Sequence, residues 1–306
     1  MKNRIVSGSF LFAAAISTGV LAPGAYSRDS EPAPVLAPSS SWHLDAADEK
    51  CRLARVFGEG PSKHVLLIDL DEPSDSVDFL VAGPAVRETK WNKPAGFQFG
   101  ALEPVYETFY TKGSFGEFEP ALMTIATSLA ETAEDSEDTE DESFVENEAG
   151  LTRIPVERFA GNETLSVVQN DETIVTLQLP NLIPALSALN QCAEDLVAFW
   201  GLDLEQHRTM QRGPEWTNAK TVIRRFISDY PSAGLRSGEQ GAVRFVVLVD
   251  EKGEIIECRQ SDATQLEDLK SPACRAMSRA TFKPAIDANG QPMRSYYAEK
   301  IRYVLP

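Results

Sequence analysis

Short apolar runs, separated by Gly, Pro, Asp and Ser, dominate residues 42–203. Their length and spacing are typical of β-strands. The clearest are 51–57, 64–70, 76–82, 105–110 and 121–129. Further on, the runs 165–168 and 174–179 flank the polar stretch 169–172, which predicts a hairpin. This region therefore has the pattern of a β-rich domain.

A helix closes this region. Apolar residues recur at steps of three and four and give one apolar face, formed by Leu182, Leu186, Leu189, Cys192, Leu196 and Phe199. Pro180 and Asn181 mark the start of this helix, and Gly201 marks its end.

A connector at 204–216 leads to a second, smaller region with its own pattern of helix and strand positions. Residues 217–230 are helical in period, and a strand at 242–249 turns one apolar face inward through Val243, Phe245, Val247 and Val249. Arg244 is the one charged residue on the opposite face of that strand. A turn at 250–253, with Gly253 in the left-handed position, leads into the next strand.

In that next strand, Ile256 and Cys258 share one face, while Glu257 and Arg259 share the other. A helix starts at Ser271-Pro272 and runs to about Ala280. The last strand follows at 294–304. The whole chain is therefore predicted to be α+β: a β-rich domain closed by a helix, then a small two-layer domain of antiparallel strands with a packed helix.

The charge of the chain is divided unevenly. The net charge is −17, and residues 217–306 carry 14 Lys and Arg against 11 Asp and Glu. That leaves −20 on residues 1–216, which would repel a phosphate backbone, so nucleic acid is excluded as a partner. Ten carboxylates and no basic residue lie within 131–148, which predicts a solvated, disordered acidic loop at 131–150.

The N-terminus has the features of an export signal. Lys2 and Arg4 precede an apolar run, and small residues near Ala25 and Ser27 suit signal peptidase, so residues 1–27 are predicted to be a cleaved signal peptide. The alternative is an uncleaved inner-membrane anchor facing the periplasm, and only this alternative places the protein in a membrane. Residues 28–41, rich in Pro, Ser and Ala, are predicted to be a flexible linker.

The four cysteines allow three pairings, and an oxidising compartment favours disulfides. Cys192 lies on the apolar face of the helix and reaches Cys51 if that helix packs across the sheet; a free buried thiol is the alternative. Cys258 on a strand and Cys274 on the following helix fit a second bridge.

No catalytic, cofactor or metal motif is present. The sequence has no GxSxG, HExxH, Gly-rich phosphate loop or CxxC, and the isolated histidines are His43, His64 and His207. The prediction is a protein that is not an enzyme and that has no cofactor and no metal site.

The order of motifs in the C-terminal region resembles the TonB C-terminal domain family of Gram-negative energy transducers. The resemblance covers about residues 217–306; residues 42–203 match no recognised pattern. It rests on these stretches: Tyr230-Pro231, Gly241–Phe245, Val249–Gly253, Arg279–Ala285 and Asn289–Pro292.

This resemblance implies a periplasmic domain that binds segments of outer-membrane receptors, or other envelope proteins, by strand addition during TonB-dependent transport. The implied site is the last strand, with these side chains: Tyr296, Tyr297, Lys300, Arg302 and Tyr303. Energy transducers of the family have an uncleaved anchor with a histidine that engages a proton-driven motor, but the segment 5–25 has no histidine. They also have a long Pro-rich rod, and here a β-rich domain stands in its place. The alternative is therefore a soluble periplasmic adaptor, or a protein that forms homodimers through this domain, with no energy-transducing role.

Overall fold

The computed structural model describes most of the chain beyond the predicted signal. The described residues are 32–47, 49–90, 93–100, 105–108, 110–130, 149–228, 241–262 and 273–303. The predicted signal segment, the acidic residues 131–148 and the predicted helix start at Ser271-Pro272 lie outside them.

Within the described residues, strands account for nearly all regular structure before the long helix. They are β1 (Val35–Leu36), β2 (His43–Ala47), β3 (Lys50–Phe57), β4 (His64–Leu70), β5 (Ser76–Ala82), β6 (Ala95–Phe99), β7 (Tyr106–Thr108), β8 (Tyr110–Phe115), β9 (Phe118–Ser128), β10 (Thr164–Gln169) and β11 (Glu172–Gln178).

These strands form two sheets that share one core. The six-stranded sheet has the order β2-β3-β4-β5-β9-β8, and the five-stranded sheet has the order β1-β11-β10-β6-β7. Neighbouring strands are antiparallel except for β1, which runs parallel to β11. The rings of Phe79 on β5 and Phe97 on β6 stack at 4.6 Å, so the inner faces of the two sheets meet there.

The long helix α1 (Leu182–Phe199) lies on the six-stranded sheet and contacts β3. Leu186 and Leu189 are fully buried, as the apolar pattern predicts. Phe199 is an exception, because 52% of its surface is exposed. The helix ends at this residue, and the side chain that is buried here is that of the next residue, Trp200, which caps the helix.

Beyond α1 the described elements are shorter. They are α2 (Leu204–Arg208), β12 (Glu215–Trp216), α3 (Ala219–Ser228), β13 (Gly241–Val249), β14 (Ile255–Asp262), α4 (Ala273–Met277), β15 (Phe282–Lys283), β16 (Ala285–Ile286), β17 (Pro292–Met293) and β18 (Ser295–Tyr303). The predicted connector 204–216 thus contains α2 and β12, and the side chain of Trp216 is buried.

Strands β14, β13 and β18, in that order, form a three-stranded antiparallel sheet, called here the C-terminal sheet. On one face, Phe245 and Val247 of β13 pack with residues of α3 and α4 such as Phe226 and Met277. This arrangement confirms the α+β class.

The other face of the C-terminal sheet is also covered. Val246 and Leu248 of β13, with Tyr296 and Ala298 of β18, join the hydrophobic core of the two larger sheets. The helices and the larger sheets therefore enclose the C-terminal sheet between two apolar layers.

The hairpin predicted between β10 and β11 is present. Asn170 and Asp171 both have positive φ, 52° and 63°, and they close the turn between the two strands.

Part of the segment predicted to be a flexible linker forms a strand. Val35 and Leu36 pair with β11, because the edge of β11 is open there. That part of the linker prediction is wrong.

Candidate partner-binding edge of the C-terminal sheet

Strand β18 forms one edge of the C-terminal sheet. It pairs with β13 along its length, and no other strand in the described ranges pairs with it. The amide of Lys300 donates to Oε1 of Glu299 at 3.0 Å, so this N–H points to the unpaired side. Amide directions alternate along a strand, so the N–H groups of Tyr296 and Ala298 point the same way. We call this side the outer edge of β18.

Tyr297 and Ile301 of β18 face the core that includes α3 and α4. The ring of Tyr297 lies 5.3 Å from that of Phe282 and 5.7 Å from that of Trp216, and its hydroxyl donates to Glu299 at 3.0 Å. Ile301 packs against the same core. Burial raises the pKa of the Tyr297 hydroxyl, so it is neutral at physiological pH.

Tyr296, on the opposite face, contacts the N-terminal part of the chain. Its ring lies 4.8 Å from Trp200 and 6.0 Å from the imidazole of His207. Burial raises the pKa of the Tyr296 hydroxyl. The sequence analysis placed Tyr296 and Tyr297 together among the partner-binding side chains. Neighbouring residues on a strand face opposite sides, so these two side chains lie in different surroundings.

His207 is a fully buried residue that helps to hold β18. Its Nδ1 lies 2.6 Å from the carbonyl oxygen of Asp203, and its Nε2 lies 3.1 Å from the hydroxyl of Ser295 at the start of β18. Burial lowers the pKa of His207, so the ring is neutral. Since the carbonyl can only accept, Nδ1 carries the proton and Nε2 accepts from Ser295.

Lys300 is the centre of a buried group of charges. Its Nζ lies 2.8 Å from Asp78 and 3.1 Å from Asp71, and both carboxylates belong to the N-terminal part of the chain. Burial lowers the pKa of Lys300, but the two carboxylates outweigh it and the pKa is raised. Lys300 is therefore a buried cation held by an ion pair.

Arg244 of β13 lies on the same face of the C-terminal sheet as Lys300, and it also contacts the N-terminal part of the chain. Its Nη1 donates to the carbonyl oxygen of Glu49 at 2.9 Å, Nη2 donates to the carbonyl of Asp71, and Nε lies 3.4 Å from the Asp71 carboxylate. Glu72 lies nearby, and burial raises its pKa to about 7 despite Arg244 and Lys300. We call these five residues the ion cluster: Asp71, Glu72, Asp78, Arg244 and Lys300.

The ion cluster was only partly visible in the sequence. Arg244 stands out as a lone charge in an apolar strand, and Lys300 alternates with apolar residues. Nothing in the local pattern around Asp71 and Asp78 links them to a strand more than 200 positions later. The contact depends on packing between distant segments.

For the other two predicted side chains, the structure gives the backbone position alone. Arg302 lies opposite Ala242 and Tyr303 lies opposite Gly241 in the ladder with β13. The side chains of Arg302 and Tyr303 lie outside the described part of the structure. Partner binding by the five predicted side chains stays a prediction.

Both cysteine pairs suggested by the sequence are joined. Cys51 on β3 and Cys192 on α1 are 2.02 Å apart at sulfur, and the bridge ties the long helix to the six-stranded sheet. Cys258 on β14 and Cys274 on α4 are 2.03 Å apart, and this bridge ties the short helix to the C-terminal sheet.

His64, one of the isolated histidines, has a structural position. It is 2% exposed; its Nδ1 donates to the carbonyl of Ser62 at 2.8 Å, and its Nε2 accepts from the amide of Ala85 at 3.0 Å. In the part of the chain that the structure describes, no group of three or more acidic, His or Cys side chains is arranged to hold a metal ion. Likewise, none of the described helices is both long enough and apolar enough to span a membrane.

One family model matches the C-terminal region of the chain. Residues 228–305 match the family model described as Gram-negative bacterial TonB protein C-terminal, which confirms the resemblance for this part of the chain. The C-terminal region is thus TonB-like, and the family is one of interaction domains of the Gram-negative envelope rather than of enzymes. No curated protein and no solved structure gives a significant match to the chain.

Proposed function

We propose that this is a periplasmic protein whose C-terminal sheet binds an extended segment of a partner by strand addition at the outer edge of β18. The observation that carries the proposal is that β18, the last strand of a TonB-like domain, is an edge whose outer amides are turned away from β13. An added strand would satisfy these amides with its own carbonyl oxygens.

The contacts of β18 indicate how such recognition would work. Tyr296 and Lys300 are engaged within the chain, and Tyr297 belongs to the core. Backbone hydrogen bonds, rather than these side chains, would therefore supply most of the affinity. The Glu299 carboxylate would leave the Lys300 amide when a partner carbonyl takes its place.

TonB family proteins interact with outer-membrane receptors, so the partner segments we propose are the N-terminal segments of such receptors, which would link the protein to TonB-dependent transport. The test is fluorescence anisotropy with labelled synthetic peptides covering those segments, against scrambled peptides. Saturable binding together with slowed hydrogen exchange at the β18 amides supports the proposal. Equal binding of native and scrambled peptides contradicts it.

A soluble adaptor without an energy-transducing role is the second candidate. In its favour, a large β-structure packs directly on the C-terminal sheet through the ion cluster, where energy transducers of the family have a Pro-rich rod. N-terminal sequencing of the protein isolated from the whole cell envelope, periplasm and membranes together, separates the two. A chain starting near Arg28 supports the adaptor, and an intact N-terminus supports an anchored transducer.

A further inference from the structure

The edge of the C-terminal sheet opposite to β18 is strand β14. Within the described ranges it pairs with β13 alone. Its sequence, IIECRQSD, contains neither Pro nor Lys, the residues that most often protect an exposed edge from further pairing. Among the described residues, an open groove of about 630 Å³ lies between β14 and the segment from α4 to β15, so β14 is accessible from that side.

The direction of the backbone groups on β14 follows from the ladder. Because the Lys300 amide points away from β13, the peptide groups of Arg244, its partner in β13, point toward β14. The same holds for Val246 and Leu248, which lie opposite Arg259 and Glu257, so these are hydrogen-bonded pairs. Cys258, between Glu257 and Arg259, therefore turns its N–H and C=O away from β13.

The charged side chains on either side of Cys258 have opposite sign and share one face. Arg259 Nε donates to Glu257 at 2.6 Å, and this bond lowers the pKa of Glu257, which is therefore ionised at neutral pH. A strand that added here with two like charges at these positions would be repelled by one of them. The edge therefore selects a strand with the complementary charge order.

The strand that meets this requirement is β14 itself. We propose that two copies of this chain pair antiparallel through β14, about a two-fold axis at Cys258. In that register Cys258 faces Cys258 of the second copy in a hydrogen-bonded pair, and Glu257 of each copy faces Arg259 of the other. The charged residues then occupy non-hydrogen-bonded positions, where opposite side chains come closest.

Apolar surface flanks the same edge. Ile256, at a bulge in β14, is 47% exposed and lines the groove beside α4. Phe199, at the end of α1, is 52% exposed, and its ring lies 5.8 Å from the Arg259 guanidinium. Two of the three large hydrophobic side chains that are exposed in the described residues thus lie at this edge. A second copy would remove part of both from water.

The dimer goes beyond the proposed function, because it uses the opposite edge of the sheet. It leaves the outer edge of β18 open in both copies, so a dimer would present two partner-binding edges. A failure of peptide binding would leave the dimer intact, and a strictly monomeric chain would leave strand addition at β18 intact.

The test is sedimentation equilibrium on the chain from Arg28 to Pro306 and on two charge-reversed variants, Arg259→Glu and Glu257→Arg. The unmodified chain is expected to dimerise. Each variant alone should be monomeric, because like charges then face each other twice across the axis. An equimolar mixture of the two variants should form dimers again, since every Glu then faces an Arg of the other variant.

The mixture separates contacts between copies from contacts within one copy. Each variant keeps its own broken Glu257–Arg259 pair after mixing, so restored dimers can arise only from pairing between chains. Thermal melts of each variant verify that both remain folded. A monomeric unmodified chain, variants that dimerise as well as the unmodified chain, or a mixture that stays monomeric would each overturn the proposal.

Discussion

Lys300→Met should destabilise the protein strongly, and more at alkaline than at acidic pH. Lys300 is the cation between Asp71 and Asp78, at 3.1 Å and 2.8 Å, and its side chain is 11% exposed. Met keeps the length of the aliphatic stem but leaves two carboxylates buried without this partner. Breaking a buried ion pair from one side costs about 3–5 kcal/mol.

The pH dependence follows from the Asp78 carboxylate, because Asp71 keeps Arg244 as a partner. Burial already raises the folded-state pKa of Asp78, and Lys300 opposes that shift, so the pKa of Asp78 should rise further without Lys300. The protonated Asp78 carboxyl then supports the folded variant below its unfolded pKa, and this support is lost as pH rises through the folded pKa. The cost of the substitution should therefore be largest at pH 8 and smaller at pH 5.

A loss of about 3 kcal/mol corresponds to a fall in Tm of about 6–12 °C in a protein of this size. Differential scanning calorimetry at pH 5 and pH 8 measures it. The matched control is Lys283→Met, because Lys283 pairs with Glu215 at 2.8 Å with 58% of its side chain exposed. Exposed pairs contribute about 0–1 kcal/mol. Equal shifts for the two variants, or a shift at Lys300 that does not change with pH, would refute the reasoning.

Two further predictions concern stability. Glu72→Gln should raise the Tm at pH 8 but not at pH 4, because the pKa of about 7 means that folding favours the protonated carboxyl, a contribution lost as pH rises through 7; a pH-independent Tm difference would contradict this. Replacing Cys51 and Cys192 by Ala should cost about 5 kcal/mol in urea unfolding, against about 3 kcal/mol for Cys258 and Cys274, because the first bridge closes the longer loop, with separations of 141 and 16. The reverse order would contradict the chain-entropy argument.

The sequence predicts those features of the fold that depend on local pattern. The alternation in β13 correctly assigns Phe245 and Val247 to the helix-covered face. The polar turn at Asn170 and Asp171 correctly predicts a hairpin, because both residues tolerate positive φ.

The features that depend on distant packing were not predictable in this way. Val246 and Leu248 are apolar, but their pattern does not tell that a second β-structure covers them. Phe199 fits the helical period, yet the helix ends there and Trp200 is buried instead. Val35 and Leu36 form a strand because β11 offers an open edge, which their Pro-rich surroundings do not reveal.

For the candidate site, the sequence predicts the strand but not its surroundings. The family resemblance points to the last strand, and the structure places that strand at the edge of the sheet. Tyr296 and Lys300 attract attention as distinctive side chains, but the structure gives both of them partners within the chain. Whether a strand lies at the edge of a sheet depends on the order of the strands in space, which the sequence pattern does not give.

The central claim, strand addition at the outer edge of β18, is tested most directly at Ala298. Its amide points to the outer edge, so Ala298→Pro removes one outward donor without removing a bond to β13, and an edge strand tolerates Pro at such a position. Ala298→Val is the matched control, since it adds similar bulk and keeps the N–H.

The measurement is the Kd of each variant for a receptor peptide that binds the unmodified chain, with Tm values to verify folding. One lost backbone hydrogen bond is worth about 1 kcal/mol, so the Pro variant should bind about five- to tenfold more weakly than the Val variant. Equal Kd values for two equally stable variants would contradict strand addition at this edge.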